Sequence, residues 1–243
     1  MISSKKVKEA LAAKASAKKA KASAWFFKTG PGEYAEGDRF LGVTVPDQRK
    51  VARTYRDLSL GEATKLLRSP IHEHRLTAVF ILIDQFARGE DAVREKIYQL
   101  CVANLQHLND WDLIDAAAPR IGGPYLVDHR GERKVLPGMV KSSHLWTRRW
   151  AIMCTYAFIR EGDFAPTLRL TKALLRDEED LIHKAAGWML REVGNRDRQA
   201  EKVFLDAHAH LMPRTMLRYA IEKFPEGERK TYLRKGKARG KGE

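Results

Sequence analysis

The chain is poor in cysteine and in long apolar runs. Two cysteines among 243 residues, Cys101 and Cys154, cannot build a disulfide framework. Both lie in apolar, helix-like segments, as expected in a reducing compartment. The longest unbroken apolar run, residues 78–83, has six residues, far short of the ~20 that a membrane-spanning helix requires. No secretory apolar core follows the N-terminal lysines, and no arginine precedes Arg39, against the arginine-rich habit of mitochondrial leaders. There is no GxSxG elbow, and neither cysteine has an activating neighbour, so hydrolysis by a Ser or Cys nucleophile is not expected. The glycines of residues 30–37 follow no strand pattern, match no dinucleotide fingerprint and form no P-loop. Among eight histidines, the pairs His72/His74 and His208/His210 are two apart. That spacing sends the rings to different faces of a helix. These absences leave a cytoplasmic protein with no membrane span and with neither a metal nor a nucleotide cofactor.

What the chain does contain is apolar residues at 44%, enough to offset the entropy of ordering, and a net charge of +14. The charge is concentrated at the ends. Residues 1–30 carry eight Lys against one Glu, and residues 229–243 carry seven Lys or Arg against one Glu. The intervening body is close to neutral. Ends of this kind suit a polyanion through phosphate neutralisation and counterion release, and they also suit simple solubilisation. Residues 5–22 are almost all Ala, Lys and Ser, good helix formers with few large apolar side chains to dock. A frayed helix that orders on a partner is expected there. The chain therefore reads as a basic extension over 1–24, a folded domain over 25–228 and a basic tail over 229–243.

From Pro46 onward helix signals recur and no strand pattern is found. Pro46-Asp47 opens a segment running to about Asp57, and Ser59 with Glu62 has capping-box spacing. Ser69-Pro70, Asn109-Asp110, Ser143 and Asp197 read as further starts. A repeat underlies them. Ala78, Ala116, Ala151, Ala186 and Ala220 sit in similar apolar contexts at separations of 38, 35, 35 and 34 residues. That period, with two helices per unit, predicts an all-α superhelical solenoid of HEAT-like two-helix repeats. A small residue at one place in each unit lets adjacent helices approach closely. Arg149, Lys184 and Arg218 stand two residues before three of these alanines, and equivalent positions predict one shared basic face.

Trp111 and Asp115 are four apart, one turn along a helical face, while Leu113 and Ile114 between them point into packing. An indole beside a carboxylate attracts cations through the ring quadrupole and the charge. The same spacing also suits a core indole with a surface carboxylate. Trp146 and Arg149 share a face on a later repeat, and Trp188 lies on the next. Residues 109–119 (NDWDLIDAAAP), 145–152 (LWTRRWAI) and 184–192 (KAAGWMLRE), with the segment Phe40 to Pro46 and Arg49, resemble the bacterial AlkD-type DNA glycosylases over roughly residues 25–225.

The resemblance implies HEAT-like repeats on double-stranded DNA and removal of cationic alkylated purines such as 3-methyladenine and 7-methylguanine. It implies a monomer in the bacterial cytoplasm, nucleoid-associated when on DNA. By residue, it implies a catalytic Asp115 flanked by Trp111 and Trp188, and Arg149 contacting DNA, with Arg148 the alternative by one position. Lys184 and Arg218 join the DNA-contacting set through the repeat. Phe26 stands where the family's better-studied members carry a tyrosine, which removes a hydroxyl and keeps a ring. A non-catalytic binder of branched or damaged DNA on the same scaffold would not need Asp115, and a protein-binding helical scaffold would ignore competing DNA.

Overall fold

The computed structural model describes residues 2–235, which divide between two compact units, Met1–Ala117 and Ala118–Glu243. Among the described residues the fold is all-α, with one isolated bridge between Arg39 and Ile71 and no strand. No helix among them is long and apolar enough to cross a membrane.

The first unit contains α1 (Ser4–Ala12), α2 (Ala17–Phe26), α3 (Val45–Thr54), α4 (Leu60–Leu67), α5 (His72–Arg88), α6 (Asp91–Ala103) and α7 (Trp111–Ala117). Helix α5 is its axle: α3, α4, α6 and α7 all pack on it. Its residues 78–82 are buried on every side, which is why that run is apolar all round rather than on one stripe. At the start of α4, Ser59 Oγ accepts from Glu62 N–H at 3.4 Å, as its spacing predicts. The Glu62 carboxylate does not close the capping box. It accepts from Ser4 N and Ser4 Oγ at 2.7 and 2.6 Å, and its hydrogen bond with Lys65, followed by these two, brings its pKa down to about 2.

That contact overturns the expectation of a frayed N-terminal helix. Val7 and Leu11, four apart on α1, are fully buried, and α1 packs on α3, α4 and α5. Two large side chains one turn apart suffice once Glu62 fixes the first turn. The basic stretch at residues 1–24 is thus continuous with the first unit. The start at Ser69-Pro70 is also displaced. Helix α5 begins at His72 without a side-chain cap, because the backbone of Arg39 pairs with this segment and holds it extended: His72 N–H donates to Arg39 O at 2.8 Å. Ser69 Oγ instead accepts from Ile71 N and bonds His74 Nδ1.

The second unit opens with a π turn at Ala118–Gly122, followed by α8 (Gly123–Asp128), α9 (Leu136–Met139), α10 (Leu145–Arg160), α11 (Ala165–Ala173), α12 (Asp180–Gly194), α13 (Arg198–His208), α14 (Arg214–Ala220) and α15 (Glu226–Lys235). Helices α10, α12 and α14 pack in succession, with α11 and α13 as their alternating partners, which is the two-helix repeat. Ala151, Ala186 and Ala220 are fully buried on the three stacked helices, and Ala78 and Ala116 are buried on α5 and α7. Gly187 shows why small residues are needed there: a Cβ on it would run into the Met216 carbonyl of α14. Asp197 caps α13 by accepting from Ala200 N–H at 2.9 Å, as expected. Ser143 does not cap α10; Ser142 Oγ accepts from His144 N–H at 3.1 Å one residue earlier.

The basic C-terminal stretch begins as part of α15 rather than as a tail. Tyr232 is buried against Phe224 and donates its hydroxyl to Asp206 Oδ1 at 3.1 Å. The remainder of that stretch, residues 236–243, lies outside the described residues.

Candidate active site and nucleic-acid contacts

Helix α7 carries the indole and carboxylate that the sequence sets one turn apart. Leu113 and Ile114 are fully buried, while Trp111 and Asp115 remain partly exposed, so both of the latter lie on the accessible side of a helix whose other side is core. Trp111 does not stand alone. Its ring stacks on Phe27 at 5.6 Å and meets Phe26 edge-on at 6.2 Å. Its N–H, a donor only, is hydrogen-bonded to the Tyr34 hydroxyl. Burial and the nearby Asp110 raise the Tyr34 pKa above its ordinary value. Tyr34 belongs to the glycine-rich loop, which the sequence marks only as irregular. The loop thus supplies a tyrosine that touches the site, although Phe26 occupies the helical position.

Beneath α7 lies a charged cluster. His72 is 2% exposed; its Nε2 bonds Asp112 Oδ2 at 2.9 Å, and its Nδ1 faces Asp38 at 3.5 Å and Asp110 at 3.8 Å. Phe40 stacks on the imidazole and Phe27 meets it at a tilt, each with centroids at 4.8 Å. Burial alone would strip the ring of its extra proton. The charge and hydrogen bond of Asp112, then those of Asp38 and Asp110, outweigh it and hold His72 up at about 9. Asp110, fully buried next to Asp112, is driven up to about 8 by burial and by its neighbour's charge. Asp38 is held below the usual range against its burial by His72 and the Arg75 guanidinium.

This cluster explains the local chain path. Asp110 Oδ1 accepts from Trp111 N–H at 2.6 Å, and Asp112 is tied to α5 through His72, so both neighbours of Trp111 are fixed. Sequence reasoning set His72 aside because His74 points elsewhere. The partners of His72 come instead from positions 34, 38 and 40 residues away. Asp38, His72 and Asp110 bring potential ligand atoms within 4.8 Å of one another, the spacing a metal ion would use. The Arg75 guanidinium on Asp38 and the imidazolium already supply positive charge to those carboxylates, so side chains meet the electrostatic demand.

In the second unit, Trp188 on α12 is half-buried, and its indole N–H donates to Glu192 Oε1 at 3.0 Å one turn on. Arg149 is 4% exposed on α10 beside the buried Trp146, and its guanidinium donates to the Leu181 carbonyl of α12. Arg148 points the other way and is fully engaged: it pairs with Asp177 at 2.7 and 3.2 Å and donates to the Ser142 and Ser143 carbonyls. Arg148, the alternative to Arg149 by one position, is thus held at the start of α10 by Asp177 and two carbonyls. Lys184 pairs with Asp180 at 2.7 Å, and Arg218 is exposed on α14. The single basic face expected of Arg149, Lys184 and Arg218 is not uniform, because Arg149 turns into the α10–α12 contact while the other two face solvent. The pair Trp111 and Asp115 belongs to the first unit, and Arg149 and Trp188 belong to the second.

Helix pairs stacked in succession, with no strand among the described residues, define an all-α helical-repeat protein. The family model for DNA alkylation repair enzymes matches residues 7–224. The chain belongs to the DNA alkylation repair enzyme family. Among solved structures it is similar to one described as a predicted DNA alkylation repair enzyme from Enterococcus faecalis, with 14% identity and a TM-score of 0.69 over 88% of this chain and 98% of that one. At that identity the likeness shows the fold. No curated protein matches the chain.

Proposed function

We propose that this DNA alkylation repair protein is a monomeric DNA glycosylase, which hydrolyses the N-glycosidic bond of cationic alkylated purines such as 3-methyladenine and 7-methylguanine in duplex DNA. The observation that carries the reading is on α7: Trp111 and Asp115 stay accessible one turn apart while the residues between them are core. A purine alkylated at N3 or N7 is already positively charged, so it leaves as a neutral base with the electrons of the glycosidic bond and needs no general acid. The remaining barrier is positive charge developing on the sugar. Asp115 stabilises that charge and orients the water whose oxygen bonds to the anomeric carbon, the released proton passing to the carboxylate or solvent. Trp111 and Trp188 offer indole faces to the cation. Lys184 and Arg218 serve the phosphates, Arg149 fixes α10 to α12 through the Leu181 carbonyl, and Phe26 contributes a ring beside Trp111.

The test is release of free base from a duplex carrying 7-methylguanine, at saturating protein, for the native chain and Asp115→Asn. The substitution keeps shape and removes charge, so release should fall by about 100-fold or more with DNA binding retained. Undiminished release from Asp115→Asn would remove the aspartate from the mechanism. No release from the native chain, with binding intact, would leave a non-catalytic binder of damaged or branched DNA. That second reading draws support from the amount of exposed aromatic and basic surface on α2, which owes nothing to Asp115.

A further inference from the structure

The end of α2 carries features that neither catalysis nor packing uses. Trp25 is 84% exposed. Phe26 and Phe27 next to it are engaged with Trp111, whereas the Trp25 indole has no ring contact among the described residues. A bare indole on the surface is apolar area left in water. Immediately after it the backbone takes an unusual turn: Lys28 has φ 56°, and it alone among the described non-glycine residues lies in the left-handed region. This is the position that ends a helix, where Lys28 N–H donates to Trp25 O and Thr29 N–H to Ala24 O, and glycine meets it at least cost. A lysine there accepts backbone strain, and it shares the lining of one cleft with Trp25. Lys28 is exposed and has no ion pair among the described residues.

The surroundings complete a site. Trp25, Phe26, Lys28, Thr29 and Glu33 line a cleft of about 440 Å³. Its one carboxylate, Glu33, is committed to the Gly30 N–H at 2.8 Å. Lys18, Lys21 and Trp25 follow at intervals of three and four along α2, so two exposed lysines continue the stripe that the indole and Lys28 begin. A stacking ring bordered by cations matches a base attached to phosphates, the recognition used for unstacked nucleotides.

We propose that Trp25 and Lys28 form a site for a single unpaired nucleotide of the bound DNA, the base stacking on the indole and the flanking phosphate meeting Lys28, with Lys21 and Lys18 following the backbone. The inference rests on the DNA-repair reading for its partner class but not on Asp115 or on base release.

The test uses the full chain and two fluorescently labelled duplexes of one sequence, one fully paired and one with a single bulged adenine. The native chain should bind the bulged duplex about tenfold tighter. Trp25→Ala should abolish that preference while leaving affinity for the paired duplex and base release at saturating protein unchanged, and Trp25→Phe should keep most of it. Lys28→Gly should raise Tm, because the left-handed turn suits glycine, while lowering the salt dependence of binding by about one phosphate contact. Equal affinity of the native chain for both duplexes, or a preference that survives Trp25→Ala, overturns the site. A salt dependence unmoved by Lys28→Gly overturns the phosphate assignment. Loss of base release in the native chain with the bulge preference intact would count against the glycosylase and leave this site standing.

Discussion

The two units are built from the same kind of helix pair and hold their important residues in opposite ways. In the first, Trp111 is set by directional bonds: the buried Asp110 and half-buried Asp112 on either side of it in sequence, an imidazolium clamped by Asp112, Phe27 stacked on the indole and Phe26 edge-on to it. In the second, α10, α12 and α14 are set by closeness, with alanine and glycine at the contacts and charges paired locally at the edges. Close packing fixes a distance between helices at low electrostatic risk. A buried ionic cluster fixes orientation, and it depends on every member being present.

Removing one member of the cluster should therefore break the comparison hardest. His72→Ala leaves Asp38, Asp110 and Asp112 sharing a buried space with only Arg75 as counter-charge, and should destabilise the protein by about 3–5 kcal/mol in urea unfolding. Overpacking the second unit should cost less. Gly187→Val pushes side-chain atoms into the Met216 carbonyl and should cost about 1–3 kcal/mol by the same assay, without altering the response to pH.

A smaller and more discriminating effect is the pH response itself. The folded pKa of His72 lies above its ordinary 6.5, at about 9, so its stabilisation is complete below 6.5 and is lost as pH rises through 9. Asp110, raised to about 8, has the same sign: its neutral form is favoured in the fold, and ionising it costs stability as pH climbs. Tm should fall as pH rises from about 6.5 to about 9. In His72→Gln the part of the fall owed to the imidazolium should disappear, leaving the loss that Asp110 ionisation causes. An unchanged profile would show that the cluster does not carry the proton assigned to it.

What was legible in the sequence was what repeats or alternates. The recurring alanines gave the helix stack because close approach leaves no room for anything larger at the contact. Leu113 and Ile114 were readable as core because a helix sends them away from Trp111 and Asp115. Properties that depend on remote partners were hidden. His72 looks isolated beside His74, and only the fold brings it Asp38, Asp110 and Asp112. Arg149 sits at the repeat position of Lys184 and Arg218 yet turns inward, because its reach to the Leu181 carbonyl is a matter of geometry rather than spacing. Composition hides helix α1 for a related reason: most of residues 5–22 are small or basic, whereas docking rests on Val7, Leu11 and the Ser4 bonds to Glu62.

Helix α1 has one further bearing on how the molecule behaves in a crowd. A row of stacked helices has a terminal face that is as greasy as its interior, and such a face invites another molecule to continue the row. With Val7 and Leu11 pressed onto α3, α4 and α5, and Lys5 and Lys6 exposed on the same helix, α1 covers apolar surface that these helices would otherwise leave open. That cover turns positive charge to the solvent, so a second copy presenting the same face meets like charge there.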